Sequence, residues 1–368
     1  MPELPEVETI ARDLRGLVTG ARIVGMNSNW PPTLRSHEPP AFAAALVGRE
    51  IEGVGRRGKQ LLIWLSPGPD SLAARDPAAG DPAVLTLHLK MTGQLFVVPA
   101  GTPQDRHVRV VLSLADGREL RFRDMRKFGR MGLYRRDPTT GLPVEGEAAG
   151  VLATGAEPLA DDFTAERFAD LLARRRGRLK TLLMNQDFLA GVGNIYADEA
   201  LWRARLHPLR DAHTLRRDHV RRLHAGLRDV LAEAVERRGS SVDDYTAPEG
   251  DGSMQEHLQV YQRAGEPCDR CGRPIRRIVV GGRSTHFCSW CQRLPTEQRA
   301  ATVLLLRVAR PVRRGPHWTE LSGDAALGRT ADEEERARHI AATRKAAATR
   351  RAAARAGATA GATAGGTA

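Results

Sequence analysis

Apolar and polar positions change their period along the chain. Up to about residue 155 the apolar residues alternate or gather in short runs, as in Gln60-Leu61-Leu62-Ile63-Trp64-Leu65 and Val108-Arg109-Val110-Val111-Leu112. That pattern predicts strands. Asp116-Gly117, lying between Leu112 and Leu120, predicts a hairpin. One early stretch differs: Val7, Ile10, Ala11, Leu14 and Leu17 recur at helical spacing over residues 6–18. From residue 161 to about 238 the period becomes helical. Phe163, Phe168, Leu171 and Leu172 predict one helix, residues 194–203 a second and residues 219–237 a third. Gly191-Val192-Gly193-Asn194 supplies a turn ahead of the second. Residues 240–256 combine Ser, Asp, Gly and Pro with little apolar content, which predicts a mobile loop.

Length and charge sharpen this picture. With 368 residues the chain exceeds one typical domain, and 41% apolar residues suffice for a sizeable core. The net charge of +12 and a pI near 10.3 point to a polyanionic partner, nucleic acid or an acidic membrane surface. No apolar run approaches the length that spans a bilayer. The acidic start Met1-Pro2-Glu3-Leu4-Pro5-Glu6 lacks the basic and apolar regions of a signal peptide, so a cytoplasmic protein is expected. Residues 341–368 contain 14 alanines and five Lys/Arg but no acid, leaving +7 on the remainder. Such a tail cannot build a core and is expected to be disordered, either a transient helix against DNA or a dispensable solvated segment.

The cysteines carry the strongest spacing signal. All four fall in Cys268-x2-Cys271 and Cys288-x2-Cys291, separated by sixteen residues. Two such pairs converge their thiolates into a tetrahedral site with no open position, which predicts one structural Zn2+. The residues between them alternate around Gly281-Gly282 and predict a β-hairpin. Its Arg276, Arg277 and Arg283, with Arg293 nearby, would present cations to a phosphate backbone. A second motif fails on inspection. Gly53-x4-Gly58-Lys59 looks like a phosphate-binding loop, but Gln60 stands where Ser or Thr must hold Mg2+, and a strand follows rather than a helix.

Several ordered segments are similar to one family. Pro2-Glu3-Leu4-Pro5-Glu6-Val7-Glu8-Thr9, Arg57-Gly58-Lys59, His88-Leu89-Lys90-Met91-Thr92-Gly93-Gln94-Leu95 and Arg123-Asp124-Met125-Arg126-Lys127-Phe128-Gly129 come first. Gly155-Ala156-Glu157-Pro158-Leu159, Gly191 to Glu199 and the four cysteines follow. Over about residues 1–293 the chain resembles the formamidopyrimidine-DNA glycosylases of bacterial base-excision repair. The resemblance implies an α+β fold: an N-terminal antiparallel β-sandwich with an N-terminal helix, a helix-two-turn-helix domain and a C-terminal β-hairpin zinc finger. The expected domains are residues 1–155, 156–262 and 263–293, with 294–368 a C-terminal extension.

The resemblance also implies an activity, a bifunctional glycosylase and abasic-site lyase acting on oxidised purines in double-stranded DNA. Pro2, exposed as the terminus once Met1 is removed, would be the nucleophile. An α-amino group has a pKa near 8, so a useful fraction is unprotonated at neutral pH. Glu3 would be the general acid. Glu6, one helical turn on, would assist by hydrogen bonding or simply favour the helix N-terminus. Lys59 would face the lesion phosphates and aid β-elimination, and Arg283 would grip the flipped nucleotide and aid δ-elimination. Flipping leaves a gap, which Met91, Arg126 and Phe128 would fill, although periodicity alone would put Met91 and Phe128 in strand cores. Asn194, with backbone N–H groups at a helix N-terminus, would bind phosphate. Lys180 and Arg175 would add phosphate contacts, and His107 either joins them or is structural. A monomer without membrane contact, associated with the bacterial nucleoid through DNA, is expected.

The chain departs from the family at Met125 (commonly Pro), Asn185 (Asp) and Gln262 (Gly). Asp105 stands where some members have a phosphate-contacting histidine, and the segment of residues 240–256 lacks a Pro-Gly-Tyr-Phe run. These changes bear on lesion choice. An oxidised-pyrimidine enzyme of the endonuclease VIII type and a non-catalytic lesion binder are the rival readings; Leu4 favours the purine branch. Removing residues 341–368 is expected to leave single-lesion excision intact and to weaken binding to undamaged DNA. Excision rates and duplex titrations of the truncated chain check this, and a large loss of excision contradicts it.

Overall fold

The computed structural model describes residues 1–68, 80–144, 152, 155–240 and 252–299. These all fall within one compact unit, Met1–Ala309. Residues 241–251 of the expected loop and the whole Ala/Arg-rich tail lie outside the described residues.

Helix α1 (Leu4–Val18) starts two residues before its periodic stripe, because Pro5 is tolerated in a first turn that has no use for its missing N–H. Val7, Ile10, Ala11 and Leu14 are buried, while Leu17, expected on the same stripe, is 40% exposed. After β1 (Ile23–Ser28) and α2 (Pro39–Leu46) come seven strands: β2 (Ile51–Arg57), β3 (Gln60–Leu65), β4 (Ala83–His88), β5 (Gly93–Pro99), β6 (Val108–Leu114), β7 (Arg118–Asp124) and β8 (Arg130–Arg135). They pair antiparallel into two four-stranded sheets, ordered β1-β6-β7-β5 and β2-β3-β4-β8. Val110, Leu112, Leu120 and Phe122 of the first sheet meet Leu61, Ile63, Leu85, Leu87 and Leu133 of the second in one buried core, closed by α1. This is the expected sandwich. The expected hairpin forms at Ala115-Asp116-Gly117, with Gly117 at φ +80°.

The glycines of the rejected phosphate loop have a packing role instead. The indole of Trp64 on β3 lies across β2, so that a Cβ at Gly55 would fall 2.7 Å from Trp64 Cη2 and one at Gly53 3.1 Å from Cε3. Trp64 Nε1 donates to the Gly141 carbonyl at 2.8 Å, which fixes the ring there. Gly in this strand marks close approach of a ring, not of a phosphate.

The second half is helical: α3 (Ala165–Ala173), α4 (Leu179–Leu183), α5 (Asn194–Arg203) and α6 (Arg217–Glu236). The side chain of Thr164 caps α3 by accepting from Arg167 N at 3.1 Å. The five-residue α4 was too short for periodicity to reveal. Phe168, Leu172, Leu183, Phe188, Tyr196, Leu201, Leu227 and Leu231 form a separate core. The two ends of the expected mobile loop are anchored. Ser240 and Met254 are buried, and Met254 N donates to Gly239 O at 3.1 Å.

The chain then enters the cysteine module through the buried carboxylate of Glu199, which accepts from the N–H groups of Gln259, Val260 and Tyr261 at 2.8, 2.9 and 2.9 Å. Burial pushes the Glu199 pKa up, against the pull of those three donors. Gln262, where the family commonly has Gly, lies at φ +57°, the left-handed region that favours glycine. Strands β9 (Arg276–Val280) and β10 (Arg283–Phe287) form the expected hairpin, with Gly281 and Gly282 both at positive φ as a two-residue turn requires. Among the described residues no helix is long and apolar enough to cross a membrane.

Gly55→Ala should force Trp64 from its seat and cost about 1–3 kcal/mol of stability. Urea unfolding of the variant measures it; an unchanged midpoint would mean that the ring is free to move.

Candidate active site and DNA interface

The N-terminal turn is set between the two cores. Pro2 is buried, and Glu3 is 3% exposed. The Glu3 carboxylate lies on the N-terminus of α5, accepting from Gly193 N (2.9 Å), Ile195 N (2.9 Å) and Tyr196 N (3.4 Å). Orphan amides and the helix dipole both favour an anion there. Leu4 N donates to Gly191 O at 3.0 Å. A Cβ at Gly193 would fall 2.4 Å from Glu3 Cδ, and one at Gly191 2.6 Å from Leu4 Cβ. Gly191 and Gly193 are therefore what lets α1 reach α5. Asn194 stands beside this contact with its Oδ1 buried and without a hydrogen-bond partner. The amides expected to serve phosphate alongside Asn194 are thus held, in large part, by Glu3.

Glu6 is a hub beneath that turn. Its Oε2 accepts from Glu3 N at 2.8 Å, one half of a capping box. Its Oε1 accepts from Tyr196 Oη at 2.6 Å and from Ser240 N at 2.8 Å. Glu6 thus sits at the helix start and also ties it to α5 and to Ser240. Sequence reading missed Tyr196 and Ser240; Tyr196 lies within a quoted motif, but nothing in its spacing marks it as a partner of Glu6.

Lys59 occupies the turn between β2 and β3, after Gly58 at φ +57°. Glu157, from the stretch joining the two cores, fixes that turn: its carboxylate accepts from Gly58 N and pairs with Arg56 at 2.6 Å and Arg57 at 3.4 Å. Arg56 also pairs with Glu8 of α1 at 2.8 Å. Lys59 is 7% exposed. Burial pulls its pKa down, opposed by Glu3 and Glu6 and reinforced by Arg283 and Lys90. Burial pushes the Glu3 pKa up, opposed by Lys59 and reinforced by Glu6. Lys59 thus lies in the field of Glu3, Glu6 and Arg283, which come from two other parts of the chain, the N-terminal turn and β10. Burial shifts both groups toward their neutral forms, the direction that suits an acid and a base. His88, beside Lys59 and Lys90, is pulled to about 3 by burial and by those two cations, and stays neutral.

The expected gap-filling residues sit on two loops tied by one carboxylate. Asp124, fully buried, accepts from Thr92 Oγ1 at 2.6 Å, Arg126 N at 3.2 Å and Gly129 N at 2.7 Å. It thereby sets the Met91 loop against the Arg126–Phe128 loop. Phe128 is 45% exposed, and the Arg126 guanidinium lies 5.0 Å from its ring centroid. Met91 is half-buried. Phe128 is therefore not core, as period alone would have had it. Asp105 holds His107 N at 2.6 Å and pairs with Arg123, keeping His107 among Arg106, Arg109 and Arg123. Arg175 is exposed, its guanidinium 5.9 Å from the Phe188 ring centroid. Lys180 is different. It is fully buried, its Nζ 2.7 Å from Asp198 Oδ1 and 2.8 Å from Asn194 O. An ammonium enclosed this way cannot reach a backbone phosphate, so the expected phosphate contact at Lys180 is corrected to a buried ion pair. Asn185 keeps a turn-forming carbonyl, accepting from Asp187 N at 2.9 Å where Asp is usual.

The four cysteines are unbridged, and their Sγ atoms all lie within 4.8 Å of one another, Cys271 and Cys288 at 3.5 Å. Thiolates at about 2.3 Å from a central ion require such spacing, so the cluster fits one tetrahedral Zn2+ held by Cys268, Cys271, Cys288 and Cys291.

Comparison with known proteins agrees with this geometry. Residues 1–131 match the formamidopyrimidine-DNA glycosylase N-terminal domain, residues 154–246 the H2TH domain of the same glycosylases, and residues 265–294 the zinc finger found in FPG and IleRS. A formamidopyrimidine-DNA glycosylase of Herpetosiphon aurantiacus is 46% identical over 294 residues, spanning 79% of this chain and 100% of the relative. That of Bacillus subtilis is 42% identical over 297 residues, spanning 79% of this chain and 99% of its own. Among solved structures, the MutM (FPG) protein of Thermus thermophilus matches with a TM-score of 0.66 at 42% identity, covering 79% of this chain and 98% of that one. Lactococcus lactis Fpg in complex with an abasic site containing DNA matches at 0.68 and 33% identity, covering 79% and 100%. The chain, from its N-terminal turn to its cysteine hairpin, belongs to the formamidopyrimidine-DNA glycosylase family.

Proposed function

We propose that this glycosylase and abasic-site lyase removes oxidised purines through the amine of Pro2, with Glu3, Lys59 and Arg283 as its partners. Relatives of the same fold have been captured with formamidopyrimidine, 8-oxoguanine-analogue and abasic-site DNA. The observation that supports the assignment of residues is the burial of Pro2, Glu3 and Glu6 in one turn, with the buried Lys59 in the field of both carboxyls and of Arg283.

The chemistry follows from those groups. With Met1 gone, the lone pair of the Pro2 nitrogen attacks the sugar C1′, and the C1′–N bond to the damaged base breaks. Glu3, whose pKa burial raises, donates a proton to the departing base or to the sugar ring oxygen as the C1′–O4′ bond breaks. The nitrogen, now bonded to C1′, releases its proton, and as the sugar ring opens at the C1′–O4′ bond it becomes an iminium ion, an electron sink that acidifies the C2′ proton. Lys59, whose ammonium is disfavoured by burial, assists removal of that proton, and the 3′ phosphate leaves in β-elimination. Arg283 holds the remaining phosphate as it leaves in δ-elimination. Addition of water to the iminium carbon and loss of the amine frees Pro2. Met91, Arg126 and Phe128 fill the gap, and Asn194, Arg175 and His107 hold backbone phosphates. The Zn2+ supplies no chemistry; four thiolates fix the two knuckles that hold the β9–β10 hairpin. The domains are taken as residues 1–155, 156–262, 263–293 and a 294–368 extension. The chain acts as a monomer on the bacterial chromosome in the cytoplasm.

Borohydride should trap a covalent adduct with abasic duplex DNA in the parent chain, and Pro2→Gly should suppress trapping and strand cleavage while largely sparing duplex binding. Near-normal lyase rates in that variant would remove Pro2 from the role. The same assay over 8-oxoguanine, formamidopyrimidine and thymine glycol duplexes ranks the lesions. Stripping the metal with a chelator should release the hairpin and abolish trapping, with recovery on adding Zn2+ but not Mg2+. Full activity at zero bound zinc would contradict the structural role.

A further inference from the structure

The buried ion pair that replaces the expected Lys180 phosphate contact joins three elements. Asp198 lies on α5, one turn after Asn194, and is 1% exposed. Its Oδ1 is 2.7 Å from Lys180 Nζ of α4. Its Oδ2 accepts from the backbone N–H of His286, the next-to-last residue of β10, at 2.8 Å. Lys180 Nζ also donates to the carbonyl of Asn194 at 2.8 Å. The His286 ring packs edge-on to Tyr261, centroids 5.2 Å apart, in the stretch that the neighbouring Glu199 holds by its three amides.

A buried ion pair gives little net stability over a well-packed apolar pair. An apolar pair, however, cannot accept a strand N–H. The distinctive property of Asp198 is direction: it fixes where β10 lies against α5. Arg283 is three residues before His286 on that strand, roughly 10 Å away, and Asn194 is on the same face of α5 as Asp198. We propose that Asp198 is a positioning residue, setting the spacing between Asn194 and Arg283 so that both reach the same DNA backbone. The proposal rests on Asn194 and Arg283 being DNA contacts. A shift of about 1 Å at such a contact can lower a rate by about a hundredfold.

Two double variants isolate the tie. Lys180→Met/Asp198→Asn removes both charges but keeps a carbonyl oxygen for the His286 N–H. Lys180→Met/Asp198→Leu removes both charges and that acceptor. Neither leaves an unpaired buried charge, so each can fold. Both lose the Lys180 bond to Asn194, and only the strand tie differs between them. The readouts are hydrogen exchange at the His286 amide and the ratio of δ- to β-elimination product on abasic duplex DNA. The ratio is taken per molecule competent for borohydride trapping, with zinc content measured. The Asn variant should keep parental exchange and a ratio within about twofold. The Leu variant should exchange faster at His286 and lose about tenfold in the ratio at full zinc content. Equal ratios in the two variants would overturn the positioning role. An unchanged ratio in Arg283→Ala would instead overturn the assignment of Arg283, whatever the two double variants show.

Discussion

The contact on which this molecule depends is a carboxylate placed on a helix N-terminus that lies about 190 residues away in sequence. Glu3 serves two ends at once. It completes the start of α1 through its backbone and the start of α5 through its side chain, so each core supplies one wall of the same turn. The amides stabilise its anion while burial opposes it. Burial is the larger effect, so the pKa of Glu3 lies above the ordinary carboxylate value; on the proposed chemistry that shift suits a group that gives up a proton and takes it back. A carboxylate satisfied by ordinary solvent would sit near its usual value and be poorly matched to the task.

Around that contact the fold repeats one device, a buried or half-buried carboxylate that ties loops through backbone amides and hydroxyls. Glu157 holds the Lys59 turn, Asp124 the two loops bearing Met91, Arg126 and Phe128, Glu199 the entry to the cysteine module, and Glu6 the junction of α1, α5 and Ser240. Loop-borne functional groups are thereby fixed without regular structure around them. Directional hydrogen bonds do here what side-chain packing does in the two cores.

Much of this was legible in the amino-acid order. The alternating runs gave the sandwich strands, Gly281-Gly282 gave the hairpin turn, and the four cysteines gave the metal cluster, since period and spacing are local properties. Pro2, Glu3 and Lys59 became meaningful only through likeness to a family, because no local rule connects them. What could not be read were the partners of charged residues. Lys180 looked like a phosphate contact because a cation beside a phosphate-binding turn usually faces solvent. Its burial depends on Asp198, eighteen residues on, and on β10 closing over both. Likewise, Gly53 and Gly58 suggested a phosphate loop because the ring lying over Gly53 and Gly55 comes from Trp64 of the next strand. The stretch at 240–256 read as uniformly loose because its anchors, Ser240 and Met254, meet partners far along the chain.

The burial of Pro2 has a consequence for how the protein must be made. Met1 is 40% exposed, but the residue behind it is buried. On the proposed chemistry the secondary amine exists only after the Met1–Pro2 bond is cut, and that bond is far easier to reach on a nascent chain than on a folded one. Maturation of the nucleophile would then belong to synthesis at the ribosome, ahead of α1 docking. Any fusion attached in front of Pro2 would yield a folded, DNA-binding protein with no nucleophile.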